Sequence, residues 1–173
     1  MEVIESCVAA MGLAFFVRGS MPRTFYFTNG VAETTKKESR QMANSESYAV
    51  MKSNADHFFG QSQLKGVTIS DTVTQIESSA FYNCTGLTEI VIPSSVTIIE
   101  GYAFNRCTGL IHITVPNSVT TIEWYAFSDC KSLTYIIYRG TKKEWNSIQK
   151  GKCWNSGTGS YTVLCSDGAI PER

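Results

Sequence analysis

The sequence has no excess of charge of either sign. Lys and Arg together number 15, and so do Asp and Glu, which leaves the 173 residues with no formal net charge. Proteins that bind nucleic acid or anionic lipid carry clustered Lys and Arg, because such partners are held electrostatically. The even balance therefore argues against a nucleic-acid partner and against a role on a lipid surface.

Long hydrophobic runs are missing as well. The longest apolar run covers residues 7–17, whereas a helix needs about 20 apolar residues to cross a bilayer. Glu2 and Glu5 precede this run without any Lys or Arg, unlike the basic start of a secretory signal. We therefore expect no membrane span and no export signal here. The run instead predicts an amphipathic helix with one apolar face, formed by Ile4, Val8, Met11 and Phe15.

The sequence is also poor in the residues on which catalysis and metal binding depend. It has two histidines, no C-x-x-C pair and no glycine-rich loop of the kind that holds phosphate. Nucleophilic catalysis needs a base beside Ser or Cys, and His112 is the single candidate base among the repeats described below. We expect His112 at an outward strand position, on the protein surface. The chain is predicted not to be an enzyme, with no catalytic residue, metal or cofactor.

What the sequence does contain is an internal repeat. From Leu64 the chain reads LKGVTISDTVTQIESSAFYNCTG, and two further copies open at Leu87 and Leu110. Leu133 begins a closing strand, and the period is 23 residues without a gap. Such fixed-period similarity is the signature of a solenoid. The matched apolar columns are Leu64/Leu87/Leu110/Leu133, Ile69/Ile92/Val115, Val73/Val96/Val119, Ile76/Ile99/Ile122, Phe81/Phe104/Phe127 and Cys84/Cys107/Cys130.

Each column has a physical interpretation. The L-x-x-I-x-I pattern alternates with a period of two, which predicts a short strand with one buried face. Pro93 and Pro116 should end the strands, because proline cannot donate to a ladder. V-T-x-I predicts a second short strand, and A-F-x-x-C has the length of one helical or 3-10 turn. Stacked coils would bury each Phe against the next Phe and form a continuous core.

The repeat resembles that of the BspA-like leucine-rich-repeat family, L-x-x-I-x-I-P-x-S-V-x-x-I-x-x-x-A-F-x-x-C. The resemblance covers Leu64 to about Gly140. The segments 138–151 and 161–170 are similar to a terminal unit that closes bacterial members of the family. The resemblance implies a protein at the cell surface or outside the cell that binds other proteins, often as an adhesin. It implies no catalytic residues.

The chain is thus predicted to be a repeat solenoid of short strands and helical or 3-10 turns, with a helical N-terminal segment and a small α+β C-terminal cap. The expected divisions are an N-terminal segment and cap at 1–63, the solenoid at 64–140 and a capping unit at 141–173. Thr141 and Glu144 form a capping-box pattern that should start a helix in that unit. Within the N-terminal segment, residues 56–63 could be a degenerate repeat, and residues 25–27 read as a strand. A second helix is expected to cover the first coil, through Tyr48, Met51, Ala55 and Phe58.

Two repeat columns carry chemistry of their own. The thiols of Cys84, Cys107 and Cys130 are expected to be buried and reduced, as free cysteine often is. Glu77, Glu100 and Glu123 should repel one another unless each stabilises a turn, the interpretation we favour over a cation site. Outside the repeats, Cys153 and Cys165 could pair as a disulfide or remain free thiols.

Two groups of side chains are candidates for binding. Outward positions of the strands mix aliphatic, aromatic and charged chemistry, and Tyr and Trp are common at binding hot spots. The residues of the outward face are Glu89, Val91, His112, Thr114, Tyr135 and Ile137. The second group precedes the A-F turns and contains Tyr102, Trp124 and Tyr125, which could equally pack against neighbouring coils.

The predicted function is a non-catalytic protein-protein interaction module, adhesin-like or a surface recognition protein, of bacterial origin. Two alternatives from other classes stay open. One is a structural or assembly subunit of a phage or cell-surface particle, attached or self-associating through the N-terminal segment. The other is a carbohydrate-binding module that uses Trp124 and Tyr125.

Overall fold

The computed structural model describes residues 47–171, and within them each repeat forms one coil of a solenoid. The first side of the coil is a strand: β2 (Leu64–Ile69), β4 (Glu89–Val91), β6 (His112–Val115) and β8 (Tyr135–Tyr138). β4, β6 and β8 pair in parallel, with Glu89 opposite His112 and His112 opposite Tyr135. That register is the 23-residue period itself, so the repeat of the sequence becomes the ladder of the sheet.

A second parallel sheet forms where V-T-x-I predicts it. It contains β3 (Gln75–Ile76), β5 (Ile98–Ile99), β7 (Thr121–Ile122) and β9 (Gln149–Lys150), in that order. The prolines act as expected: β4 ends before Pro93 and β6 ends before Pro116. The predicted leucine-rich-repeat solenoid is therefore the fold of this part of the chain.

The third side of the coil is where the prediction of a helical or 3-10 turn is wrong. The N–H groups of Ser79, Phe81 and Asn83 donate to carbonyls of the next coil at 2.8 to 3.1 Å. The alternate residues Ala80 and Tyr82 donate three residues back within their own coil. In a helix, all of these N–H groups would donate within the same coil. Because alternate N–H groups donate to the next coil instead, the segment forms successive turns and no helix. Ser79 and Asn83 have positive φ, 61° and 59°, which interrupts any helical run.

The core lies between the three sides and consists of the repeat columns. Phe58, Phe81, Phe104 and Phe127 form one stack, with ring centroids 5.3, 5.1 and 5.3 Å apart and planes within 12° of parallel. Phe81, Phe104 and Phe127 are fully buried, as are the three column cysteines. Burying such a ring stabilises the fold by about 1.5–3 kcal/mol relative to exposure. The stack is thus a main source of cohesion between coils.

The N-terminal end of the described chain corrects a second prediction. The helix expected from Tyr48, Met51, Ala55 and Phe58 is absent, and β1 (Ser47–Met51) occupies the first part of that segment. β1 pairs with β2 in parallel, with Met51 opposite Ile69. Met51 is fully buried while Tyr48 and Val50 are exposed. Over so short a stretch, the positions of Tyr48 and Met51 fit a helical period as well as a strand, which explains the wrong prediction. The edge of β2 needs a hydrogen-bonding partner, which a strand supplies and a helix does not.

The C-terminal segment contains the expected capping box and then continues the solenoid. Helix α1 (Lys142–Ser147) begins at Thr141, whose side chain accepts from the Glu144 N–H while the Glu144 carboxylate accepts from the Thr141 N–H. Trp145 is 2% exposed. The chain then forms β9 and β10 (Thr162–Cys165), which pair in parallel with β7 and β8. β11 (Gly168–Pro171) pairs with β10 in the antiparallel sense and ends the sheet.

Three expectations fall on residues outside the described range. They are the helix of residues 4–15, the strand at residues 25–27 and self-association through the N-terminal segment. Within residues 47–171, no helix is long and apolar enough to cross a membrane.

Candidate protein-binding face

The outward side of the first sheet carries two columns of side chains, which together we name the strand face. The pairing of β1 with β2, of β4 with β6 and β8, and of β8 with β10 sets the register, and β2 lies against β4. The first column contains Tyr48, Gly66, Glu89, His112, Tyr135 and Thr162. The second column contains Val50, Thr68, Val91, Thr114, Ile137 and Leu164. β4, β6, β8 and β10 belong to one sheet, and β1 and β2 form a separate two-stranded sheet beside β4.

The second column forms an apolar stripe across the sheet. Val50, Val91 and Leu164 are 54%, 56% and 37% exposed, and Ile137 is half-buried. Thr114 departs from the expectation of an outward contact residue, because it is only 6% exposed between Val91 and Ile137. Its hydroxyl therefore offers little surface, so the column is mainly aliphatic, with exposed Thr68 of β2 as its polar member.

The first column is polar and aromatic. The Nε2 atom of His112 lies 2.9 Å from Oε2 of Glu89, and both side chains are partly exposed. The two residues face each other directly across β4 and β6. Tyr135 continues the column and is 43% exposed. As expected, His112 is at the surface, and its partner in the structure is a carboxylate.

Sequence reasoning missed several residues of the strand face, among them Tyr48, Val50 and Leu164. Tyr48 and Val50 were assigned to a helix, and Leu164 was assigned to the cap. In the structure the Tyr48 ring lies over Gly66, at 3.1 Å from the place where a Cβ would stand. Residues 48–51 (YAVM) are apolar throughout, so no alternation of polar and apolar residues marked Tyr48 and Val50 as outward.

The second group of candidate residues forms an aromatic ledge, made of Tyr102, Trp124 and Tyr125. The two tyrosine rings stack at 5.3 Å with 4° between their planes. The indole of Trp124 stands at 66° to the Tyr102 ring, with the centroids 5.0 Å apart. Trp124 is 51% exposed. Both interpretations of the group therefore hold in part: the tyrosines pack against each other, while the indole presents surface to solvent.

The ledge is built on strained backbone. Tyr102 and Tyr125 have φ of 58° and 55°, a conformation that costs an ordinary L-residue roughly 1–2 kcal/mol. Stacking of the two rings offsets part of this cost, since an aromatic pair contributes about 0.5–1.5 kcal/mol beyond its buried area. Cys153 has a φ of 55°, and its hydrogen bond with Tyr125 raises the pKa of that phenol.

The glutamate column stabilises turns, as favoured from the sequence, but acts between coils. Oε2 of Glu100 accepts from the N–H of Ser78 at 3.0 Å, and Oε2 of Glu123 accepts from Gly101 at 3.1 Å. Each carboxylate therefore holds the turn of the preceding coil instead of its own. Among residues 47–171, no group of three or more His, Cys, Asp or Glu side chains is placed to hold a metal ion.

The cysteines are free thiols throughout the described range, including Cys153 and Cys165, for which a disulfide had remained possible. Burial raises the pKa of Cys84 and Cys130 to about 12, and that of Cys107 well above its usual value. These thiols are therefore protonated at neutral pH and have no nucleophilic character.

Two solved structures of bacterial proteins are similar to this chain. One is a leucine-rich cell surface protein from Faecalibacterium prausnitzii, with 32% identity, a TM-score of 0.55, and coverage of 61% of this chain and 29% of that one. The other is a leucine-rich repeat protein from Eubacterium ventriosum, with 20% identity, a TM-score of 0.53, and coverage of 64% and 30%. The second likeness concerns the fold alone. This chain spans less than a third of either protein.

No curated protein matches the chain. The model of the BspA type leucine-rich repeat region matches residues 48–165 in six copies, which is more than half of the sequence. The match includes β1 at its start and β10 at its end, the two strands that sequence reasoning had left outside the solenoid. The chain belongs to the BspA type leucine-rich repeat family.

Proposed function

We propose that the chain is a non-catalytic protein-binding module and that the strand face is its contact surface. The observation that carries the proposal is the pair of outward columns that run across β4, β6, β8 and β10, one mainly aliphatic and one polar and aromatic, with β1 and β2 extending both beside β4. Val91 and Tyr135 are about half exposed although both stand on a rigid sheet. A contact surface of this kind is ordered before the partner arrives, so binding costs little conformational entropy.

The aliphatic column supplies the apolar area that an interface core needs. Val50, Val91, Ile137 and Leu164 lie in one line and expose side chains of similar size. Interface cores are depleted in charge, and no charged residue stands in this column. An apolar strip of a partner could therefore lie along it without leaving a buried charge unpaired.

The polar column supplies selectivity. The Glu89–His112 pair and the Tyr135 ring occupy successive positions of one ladder. Their chemistry changes from strand to strand while the backbone beneath them repeats. A partner must then match the order of a carboxylate, an imidazole and a phenol. Charge patterns of this type determine the register in which the partner binds more than they determine its affinity.

We further propose that the module is displayed at a bacterial surface in an adhesin-like role. The support is the likeness to the Faecalibacterium prausnitzii cell surface protein, at 32% identity over 61% of this chain. Family membership agrees with a binding role without catalysis.

The experiment begins with immobilised full-length protein and an extract of surface proteins from the source organism. A captured partner is purified, and its affinity is compared for two double variants. Tyr135→Ala with His112→Ala changes the strand face, and Lys142→Ala with Lys143→Ala changes α1 as a matched control. We expect the first pair to weaken binding at least about tenfold and the second to leave it within about twofold.

Hydrogen exchange provides an independent map of the same complex. Protection on binding should appear in β4, β6 and β8, whose backbone groups lie beneath the two columns. If the α1 pair abolishes binding while the strand-face pair retains it, the contact surface is at the C-terminal end and the proposal is wrong.

A further inference from the structure

The aromatic ledge lies away from the strand face, at the junction of the second sheet and the turns. Trp124 follows β7 by two residues, and its indole leans over Gly101 of the preceding coil. A Cβ at position 101 would come within 2.9 Å of the indole Nε1. Gly101 thus leaves the space in which the indole rests on the Tyr102 ring, with about half of Trp124 open to solvent.

Polar groups border this indole on both sides. The carboxylate of Glu123 is fixed by the Gly101 N–H at 3.1 Å, so it stands beside the position over which the indole leans. On the other side, the pairing of Ile122 with Lys150 brings exposed Lys152 to the place next to Trp124 in the following coil. The exposed indole therefore lies between a fixed carboxylate and a chain position that carries a lysine.

The shape of the ledge distinguishes between the ligands that aromatic surfaces attract. A cation is best held between several facing rings, but the indole and the Tyr102 ring are packed against each other at 5.0 Å and form a single wall. Lys152 would in addition repel a cation. A saturated ring that exposes a face of C–H groups fits a single wall, because the negative face of an aromatic ring attracts weakly positive hydrogens.

We propose that the aromatic ledge is a carbohydrate-binding site, in which one pyranose ring of a neutral oligosaccharide stacks on the indole of Trp124. The C–H face of the sugar lies on the indole. A hydroxyl of the sugar donates to the Glu123 carboxylate, and another accepts from the Lys152 ammonium. A small-ligand site uses a few polar groups at fixed positions to orient its ligand.

The test is isothermal titration of the full-length protein with cellohexaose, chitohexaose, mannohexaose and xylohexaose, each in a separate arm. We expect at least one of them to bind with a Kd of about 1 mM or tighter. Trp124→Ala should weaken that binding at least about tenfold, and Gly101→Ala should weaken it while keeping every aromatic ring, because the new methyl displaces the indole. Tyr135→Ala on the strand face is the matched control and should leave sugar binding within about twofold.

Melting curves accompany each variant, and Trp124→Phe provides a smaller change if the alanine variant is unfolded; it should retain weakened binding. Tetramethylammonium chloride forms a separate arm for a cationic ligand. The proposal is overturned if none of the four oligosaccharides binds, if Trp124→Ala and Gly101→Ala both bind as the wild type does, or if tetramethylammonium alone is bound. Loss of sugar binding in these variants leaves the strand-face proposal untouched, since the two surfaces share no residue.

Discussion

The Cys107 thiol donates a hydrogen bond to the carbonyl oxygen of Phe81, which lies one coil earlier, at an Sγ–O distance of 3.0 Å. The same bond joins Cys84 to Phe58 and Cys130 to Phe104, at 3.0 and 3.1 Å. Each of these carbonyls also accepts a backbone N–H within its own coil. The cysteine column is therefore a ladder of hydrogen bonds between coils as well as a row of small core side chains.

Thiol labelling should separate this ladder from the surface cysteine. Cys84, Cys107 and Cys130 are fully buried, whereas Cys153 is exposed. We expect iodoacetamide to modify Cys153 in the native protein and the three ladder thiols only after denaturant is added. Peptide mass spectrometry measures the extent of modification at each cysteine. Labelling of the ladder thiols as fast as Cys153 would contradict their place in the core.

The protein should lose stability at alkaline pH. Burial raises the pKa of Cys84 and Cys130 to about 12 in the folded state, from an ordinary value of 9.0. The unfolded chain therefore releases these protons first. The stabilisation is complete below pH 9 and is lost as the pH rises from 9 towards 12, with a slope of about 1.4 kcal/mol per pH unit and thiol.

Urea unfolding at a series of pH values measures that slope. The matched control is the double variant Cys84→Ala with Cys130→Ala, which lacks both groups and should show a shallower fall in the free energy of unfolding. An identical slope in the variant would mean that other groups govern the alkaline transition.

The phenylalanine stack should be the most sensitive part of the core. Phe104 is buried between Phe81 and Phe127, so Phe104→Ala is expected to cost about 3–5 kcal/mol, as deletion of a buried ring does. The free energy of unfolding from urea titration is the measurement. Phe59→Ala is the control, because Phe59 is 63% exposed, and it should cost less than about 1 kcal/mol.

Removal of residues 141–173 should expose the end of the stack. β8 would lose its pairing with β10, and β7 would lose its pairing with β9. Ile136 and Tyr138, now buried, would lie at an open edge. Open strand edges template association between chains, so we expect aggregation in size-exclusion chromatography. A monomeric 1–140 fragment with the native circular dichroism spectrum would show that this segment is dispensable for the solenoid.

The sequence by itself determined the solenoid, its period and its core. Three copies of one pattern report the same environment three times, so the buried residues at Leu87, Ile92, Val96, Ile99, Phe104 and Cys107 could be read directly. The strand at Glu89–Val91 and its outward Glu89 and Val91 followed from alternation with a period of two. The family could also be recognised from the repeat, and the family model matches residues 48–165.

Only the tertiary structure decided the features that depend on contacts between coils. Segment 47–51 fits both a helical and a strand period, and the unpaired edge of β2 made it a strand. The A-F-x-x-C turns have helical length, yet their alternate N–H groups bond to the next coil. Thr114 alternates outward like Val91, but its neighbours on both sides cover it. Local patterns show which side chains are buried and which are exposed. They do not show where the backbone hydrogen bonds go, and in a solenoid those bonds run between coils.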